Sequence, residues 1–422
     1  MRFGAELMRQ ADVLASFTED LPRLTRRYLS TQHRQAGNYL IALMREAGMS
    51  AGFDALGNVV GRYASDGRQG PVVMVGSHQD SVRNAGKYDG VFGILTAVAC
   101  ARDLHQRGRR LPYALEIVAF GDEEGVRFGA TMTGSRAMAG TFDAACLDLV
   151  DDDGITMREA LRKFGGDPDG WRSLDRRGGN VVAYVESHIE QGPVLLNENL
   201  PVGIVTGIAG TTRLRVAVHG QAGHAGTVPM GSRRDAVAAA SEMVLAVEHH
   251  CQTHPDLVGT VGRMSVLPGA INVIPQDVEF TVDLRSTTDA ARCGAAQALV
   301  AGFTDVAKRR GVSVAATEFF AANAARCDPA LKDALGASVA AQGIPLRELP
   351  SGAGHDAMVF PPVCPTAMLF VRCGNNGISH HPDETMTADD AEVATSVLLH
   401  FLEHYASPRG GASEARGHGG PA

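Results

Sequence analysis

Histidines and carboxylates recur in this chain at the ends of short apolar runs. Gly76-Ser77-His78-Gln79-Asp80 directly follows the apolar residues 72–75, and Gly86-Lys87-Tyr88-Asp89-Gly90 comes soon after. Gly121-Asp122-Glu123-Glu124-Gly125 follows residues 114–120, and Glu186-Ser187-His188-Ile189-Glu190-Gln191-Gly192 follows residues 181–185. Gly377-Ile378-Ser379-His380-His381 stands a short loop beyond residues 366–371. Imidazoles and carboxylates without thiolates are a ligand set for divalent zinc, manganese or cobalt. Asp80, two residues after His78, is placed to orient that imidazole from behind. Singly, each cluster has an ordinary explanation: a solvated histidine, a charged loop, an Asp-Gly turn. Four of them in succession, each at the end of an apolar run, point to a metal site.

A different set occupies the middle of the chain. His224 lies in the glycine-rich stretch Gly220-Gln221-Ala222-Gly223-His224-Ala225-Gly226, and Asn272 in Ile271-Asn272-Val273-Ile274-Pro275. Arg285 ends an alternating segment whose apolar positions are Val278, Phe280, Val282 and Leu284. A guanidinium fork suits a carboxylate, and an asparagine could support it. On their own these three residues read as polar side chains that simply face water.

The elements that must carry these residues follow from periodicity. Helical spacing runs through residues 6–49, and in 35–47 it sets Leu40, Ile41, Leu43 and Met44 to one side before Gly48. Buried strands are expected at 72–75, 114–120, 181–185 and 366–371, with helices at 91–107 and 388–405. Apolar strands alternating with helices predict an α/β domain with a mostly parallel sheet flanked by helices, which binds ligands at the carboxyl ends of its strands. Between 211 and 329 the pattern becomes α+β: alternating strands at 214–218, 278–285 and 312–319, with helices at 235–249 and 290–310. The expected organisation is a catalytic domain over 1–210 and 330–406, an inserted ferredoxin-like α+β domain over 211–329, and a disordered tail over 407–422.

A chain of 422 residues with 45% hydrophobic and 20% charged residues is ordinary globular material, too long for one core. A formal net charge of −8 argues against a nucleic-acid binder. Seven scattered cysteines without a C-x-x-C pair argue against a disulfide framework or a thiolate zinc site, and favour a reducing cytoplasm. No signal peptide or membrane-spanning run is visible.

With these residues laid out, the chain resembles the M20 metallopeptidase-like family, and within it the amidase branch of N-carbamoyl-L-amino-acid hydrolases, β-ureidopropionases and allantoate amidohydrolases. The resemblance spans about residues 6–405. It rests on Gly76-Ser77-His78-x-Asp80, Gly86-x-x-Asp89-Gly90, Glu123-Glu124-Gly125, Gly352-Ala353-Gly354-His355-Asp356 and Gly377-Ile378-Ser379-His380. His188-Ile189-Glu190-Gln191-Gly192-Pro193 marks the amidase branch. It implies two divalent metal ions, Zn2+ or Mn2+ with Co2+ or Ni2+ as alternatives. The implied ligands are His78, Asp89, Glu124, His188 and His380, with Asp89 bridging and His381 competing for the last place.

The resemblance further makes Glu123 the general base and His224 an oxyanion stabiliser supplied by the neighbouring subunit. Gln191, Asn272 and Arg285 would hold a small carboxylate substrate, and the inserted domain would serve as lid and dimer contact. Gln79, Ser81, Ala85 and His381 depart from the family pattern without removing a ligand. The expected reaction is hydrolysis of a linear amide or ureido C–N bond, on allantoate or an N-carbamoyl-L-amino acid, releasing ammonia and carbon dioxide. Residues 24–30 and 44–49 resemble bacterial allantoate amidohydrolases. An M20-type aminoacylase or dipeptidase, and a non-catalytic homologue that keeps only the fold, are the alternatives.

Overall fold

In a computed structural model describing residues 2–67 and 70–406, four apolar segments form the parallel centre of one sheet. The strands Ala114–Phe120, Val72–His78, Val181–Ile189 and Thr366–Val371 lie side by side in that order. Their unbroken burial is what parallel strands covered on both faces require. Antiparallel strands extend the sheet: Val59–Tyr63 and Ser50–Phe53 beyond one side, Val202–Ile208 beyond the other. The expected tail at 407–422 lies outside the described residues.

Two strands run further than the sequence pattern indicates. Val72–His78 and Val181–Ile189 each continue past their apolar run to take in a polar end, including His78 and His188. Polarity normally marks the end of a buried strand, but here neighbouring groups satisfy most of the polar side chains, Ser187 Oγ excepted. Ser77 Oγ, for example, donates to Glu186 Oε1 at 2.9 Å. Because the four strands are parallel, all of their chemically active ends fall on one edge of the sheet.

Helix Val91–Gln106 is apolar all round, and thirteen of its sixteen residues are buried, as such a composition demands. It shares a core with helices Gly4–Ser16, Thr31–Glu46 and Ala388–His404. The helical spacing of residues 6–49 resolves into two helices with a non-helical stretch between them. Ser30 caps the second by accepting from His33 N, and Gly48 ends the turn after it at φ +76°.

The described residues divide into two compact units, the first taking in those up to Thr206, Arg326–Leu349 and those from His355 on, the second Gly207–Ala325 and Pro350–Gly354. In the second, an antiparallel sheet runs in the order Ser313–Ala322, Gly210–His219, Asp277–Ser286, Val258–Leu267. Helices Ala236–Gln252 and Asp289–Arg310 cover the face that carries Val278, Phe280, Val282 and Leu284. The edge strand Val258–Leu267 is absent from the sequence reading. It carries Gly259 and Gly262 and is exposed at most positions, so it shows no clean alternation. Among the described residues no helix is long and apolar enough to cross a membrane.

Arg26 is the largest polar side chain sealed in the first unit, at 1% exposure. Its guanidinium donates to the carbonyls of Gln79 (2.7 Å) and Leu14 (2.7 Å), and its backbone N–H donates to Ser81 Oγ. It therefore ties the loop after His78 to the first helix, and it gives the atypical Ser81 a structural task. Arg26→Met should leave those carbonyls unpaired in the core and cost on the order of 3 kcal/mol. Urea denaturation measures this, and a loss under roughly 1 kcal/mol would remove Arg26 from that role.

Candidate metal centre

The two buried histidines are fixed by their backbones before any ligand arrives. His78 Nδ1 lies 3.0 Å from the Asp80 carbonyl, and His188 Nδ1 lies 2.9 Å from the Ile189 carbonyl. A carbonyl can only accept, so each ring carries its proton on Nδ1 and turns an Nε2 lone pair outward. Those two Nε2 atoms stand 3.4 Å apart, with Asp89 Oδ1 at 3.7 Å from His78 and 3.3 Å from His188. Ligands about 2.0–2.1 Å from a tetrahedral ion lie roughly 3.3–3.4 Å from one another. The set has the spacing of a coordination shell.

The second oxygen of Asp89 faces another set. His380 Nε2 is 3.2 Å from Asp89 Oδ2 and 3.6 Å from Glu124 Oε1. Asp89 Oδ2 and Glu124 Oε1 are buried without a hydrogen-bond partner, the state of oxygens that await a cation. Among the described residues, donor atoms of His78, Asp89 and His188 form one candidate metal cluster, and those of Asp89, Glu124 and His380 another. His381 is turned away, its Nδ1 accepting from Asp383 N at 3.1 Å. The donor set and its unpaired oxygens fit two divalent ions that share Asp89.

The electrostatics agree with this fit. Burial pushes Glu124 up to about 7, reinforced by the charge of Asp89. Burial also raises Glu123 well above the carboxylate range, with His78 opposing and Glu124, Asp356 and Asp80 adding to it. At Asp89 burial works in the same direction, but the imidazoles of His380, His78 and His188 outweigh it and hold the acid well below its usual range. Proximity to Asp89 lifts His380 to about 9, while burial lowers His188 to about 4. Burial works to lower His78 as well, but Asp89, Glu123 and Asp80 outweigh it and raise that imidazole, so the acids of this pocket draw positive charge toward themselves.

Loop chemistry explains the motifs. Asp80 meets His78 through its backbone carbonyl, whereas its carboxylate accepts the N–H groups of Glu123 and Glu124 at 3.2 Å each. Asp80 therefore orients the imidazole as its spacing suggests, but through its main-chain carbonyl, and its carboxylate in addition shapes the Glu-Glu turn. Asn58 Oδ1 anchors the same turn through Gly121 N at 2.9 Å. Glu190 accepts Val194 N and Leu195 N, so within the His-Ile-Glu-Gln-Gly-Pro motif it secures the following helix. Gln191, at φ +56°, turns its amide nitrogen to Asp89 Oδ1 and Ser379 Oγ, both at 3.2 Å.

Three buried residues had no role in the sequence reading. Glu186 accepts from Ser77 Oγ, Tyr184 Oη and Ala357 N, and its donor oxygen clusters with His188 and His355. His355 belongs to a motif that was noticed without a task, and its ring centroid lies 4.4 Å from that of His188. Glu384 lies four residues beyond His380, where the sequence offers only an acidic loop.

In the second unit, His224 and Asn272 come together. His224 pairs with Val273 across a two-residue ribbon, and the carbonyl of Asn272 accepts from Ala225 N at 3.0 Å. Arg285 stands near the far end of strand Asp277–Ser286, about 27 Å of strand away from Asp277. Its Nε donates to Asp283 and its Nη1 to the Gly352 carbonyl, both at 2.9 Å.

Residues 74–404 match peptidase family M20/M25/M40, and the chain belongs to that family. It is 41% identical to an N-carbamoyl-L-amino acid amidohydrolase of Geobacillus stearothermophilus over 379 residues, covering 90% of this chain and 92% of the relative. It is 37% identical to an allantoate deiminase of Arabidopsis thaliana, covering 92% of this chain and 80% of the relative. A crystal structure of a hydantoinase/carbamoylase-family amidase from Burkholderia multivorans superposes with a TM-score of 0.89 at 34% identity, covering 95% and 97% of the two chains.

Gly90 tests the preorganisation of the site. At φ +69° a Cβ there would stand 2.5 Å from the His78 ring, so only glycine lets the Asp89 loop close on that imidazole. Gly90→Ala should lower metal content after gel filtration well below that of the unmutated chain. Undiminished metal, counted by elemental analysis, would mean that the approach is not limiting.

Proposed function

We propose that this protein is a two-metal amidohydrolase that cleaves the ureido C–N bond of a small carboxylate. The observation that carries the reading is Asp89, whose two oxygens face two separate donor sets, in a chain similar to amidohydrolases over nine-tenths of its length. Zn2+ or Mn2+ suits a shell of imidazoles and carboxylates, with Co2+ and Ni2+ as alternatives. Such ions would supply Lewis acidity and lower the pKa of the attacking water.

The chain's own residues would do the rest. Glu123 takes a proton from the attacking water and passes it to the leaving nitrogen. Gly226 N donates to His224 Nδ1 at 3.1 Å, so the proton of that ring sits on Nε2, ready to be donated to a developing oxyanion. Arg285, held from one side by Asp283, offers its remaining donors to the substrate carboxylate, and Gln191 reaches substrate beside Asp89. Cleavage releases ammonia, and the carbamate left behind loses carbon dioxide.

His224 and Asn272 share one ribbon, so whichever subunit supplies one supplies both. We assign them to the neighbouring subunit of a homodimer. The edge strand Val258–Leu267 and the exposed Met264, Leu267 and Ile271 favour self-association through this unit. Seven free thiols favour the cytoplasm.

Residues 24–30 and 44–49 give allantoate a slight lead as substrate, while the higher identity to the N-carbamoyl-L-amino acid relative than to the allantoate relative supports carbamoyl amino acids, so both stand at the head of the substrate panel. Ammonia release by the metal-loaded chain from both and from N-carbamoyl-β-alanine, with amine release from dipeptides measured alongside, decides the matter. Turnover of a ureido compound is expected. Silence on the ureido compounds with amine release from dipeptides would move the protein to the peptidase side, and silence throughout would favour a binding homologue.

Shared sites make a second expectation. Glu123→Gln and His224→Ala should each abolish turnover, yet refolding them together should restore about a quarter of it, from heterodimers with one intact site. No recovery in verified heterodimers would place His224 within its own subunit.

A further inference from the structure

Glu384 is 3% exposed, and its carboxylate spans two loops that carry candidate ligands. Oε1 accepts the N–H groups of Tyr88 at 2.9 Å and Asp89 at 3.2 Å, while Oε2 accepts the Ser379 hydroxyl at 2.7 Å. Ser379 spends its only proton on that bond, so its oxygen is free to accept from Gln191 Nε2, which also donates to Asp89 Oδ1. The donors run one way, from Gln191 through Ser379 to Glu384. Beside this chain His380 takes a left-handed backbone, φ +56°, and turns its Nε2 to Asp89 and Glu124.

Room for the clamp is built in. A Cβ on Gly86 would lie 2.2 Å from the Glu384 carboxyl carbon, so the first glycine of Gly86-x-x-Asp89-Gly90 makes space for this side chain. The Glu384 N–H closes the intervening turn on the His381 carbonyl at 3.0 Å.

Resting on the two-ion reading, we propose that Glu384 is a positioning residue that locks the Asp89 loop to the Ser379-His380 loop and so builds the metal position shared by Asp89, Glu124 and His380. It touches no reacting atom. Its effect passes through the backbone of Asp89 and the hydroxyl of Ser379.

The test counts ions per full-length chain by elemental analysis and measures their affinities by chelator competition, with far-UV circular dichroism and thermal melting as checks of folding. Glu384→Ala should loosen one of two ions by roughly 10–100-fold, the usual scale for removing a group that orients ligands, and leave the other in place. Glu384→Gln keeps an oxygen for the two backbone donors and should fall between. Ser379→Ala leaves the Tyr88 and Asp89 amides capped and should loosen the same ion, with kcat falling more than KM rises.

Wild-type affinities for both ions in Glu384→Gln and Ser379→Ala would overturn the proposal, including the case in which Glu384→Ala fails to fold. Loss of both ions together in a folded variant would also overturn it. A wild-type chain that holds a single ion would sink the two-ion reading instead. Glu384 would then stand or fall on whether these variants loosen that one ion.

Discussion

The structure turns on two imidazole lone pairs and a carboxylate held face to face. His78 and His188 donate their Nδ1–H groups to backbone carbonyls, so neither ring can relieve the encounter of their Nε2 atoms by rotating without losing that bond. In a buried pocket such crowding calls for positive charge, from a proton on His78 or from a cation between the groups. A cation resolves it, and the same carboxylate offers its other oxygen to a second set. The rest of the first unit can be understood as the framework that maintains this arrangement.

That framework works by backbone geometry more than by bulk. Parallel strands bring His78, His188 and the Glu123-Glu124 turn to one edge, and helix Val91–Gln106 starts directly after Asp89-Gly90. Glycines stand where a side chain would strike the site: Gly90 against His78, Gly377 against Gly192. Non-glycine residues with left-handed backbones cluster here as well, at Asp122, Gln191 and His380. Each such residue costs on the order of 1–3 kcal/mol, a strain that surrounding hydrogen bonds must offset. Thr133 does so for Asp122 with a hydroxyl bond of 2.5 Å. Buried acids beyond the ligands, Glu186 and Glu384, bind loops together by accepting several hydrogen bonds each, although burial pushes Glu186 up to about 8 and Glu384 up to about 7.

The second unit follows a different physical logic. Its antiparallel sheet buries one face under two helices and leaves the other open, so polar residues can be displayed without a burial cost. His224 and Asn272 sit at one end and Arg285 near the other, each held by backbone or carboxylate contacts that leave a donor available. A unit of this kind presents groups. It does not enclose them.

Much of this was legible in the sequence. The four clusters, the alternation in residues 278–285, the apolar run of helix Val91–Gln106 and the change of character after residue 210 are all local signals, and local chemistry dictates them. Strand length was not legible at Val72–His78 and Val181–Ile189, because a polar residue inside a buried strand is stable only when a distant partner satisfies it. The edge strand Val258–Leu267 gave no periodic signal because neither of its faces is consistently buried. Between His380 and His381 no local rule could choose; the left-handed backbone at His380 and the Asp383 contact of His381 chose. The sequence by itself determined which chemistry was on offer: imidazoles and carboxylates, on strand ends, with glycines between them. Tertiary structure alone decided which nitrogen of each ring faces the site, that Asp80 shapes a turn, and that Glu384 is a clamp. Each of those depends on a hydrogen-bond partner far away in the chain, and no spacing along the sequence records it.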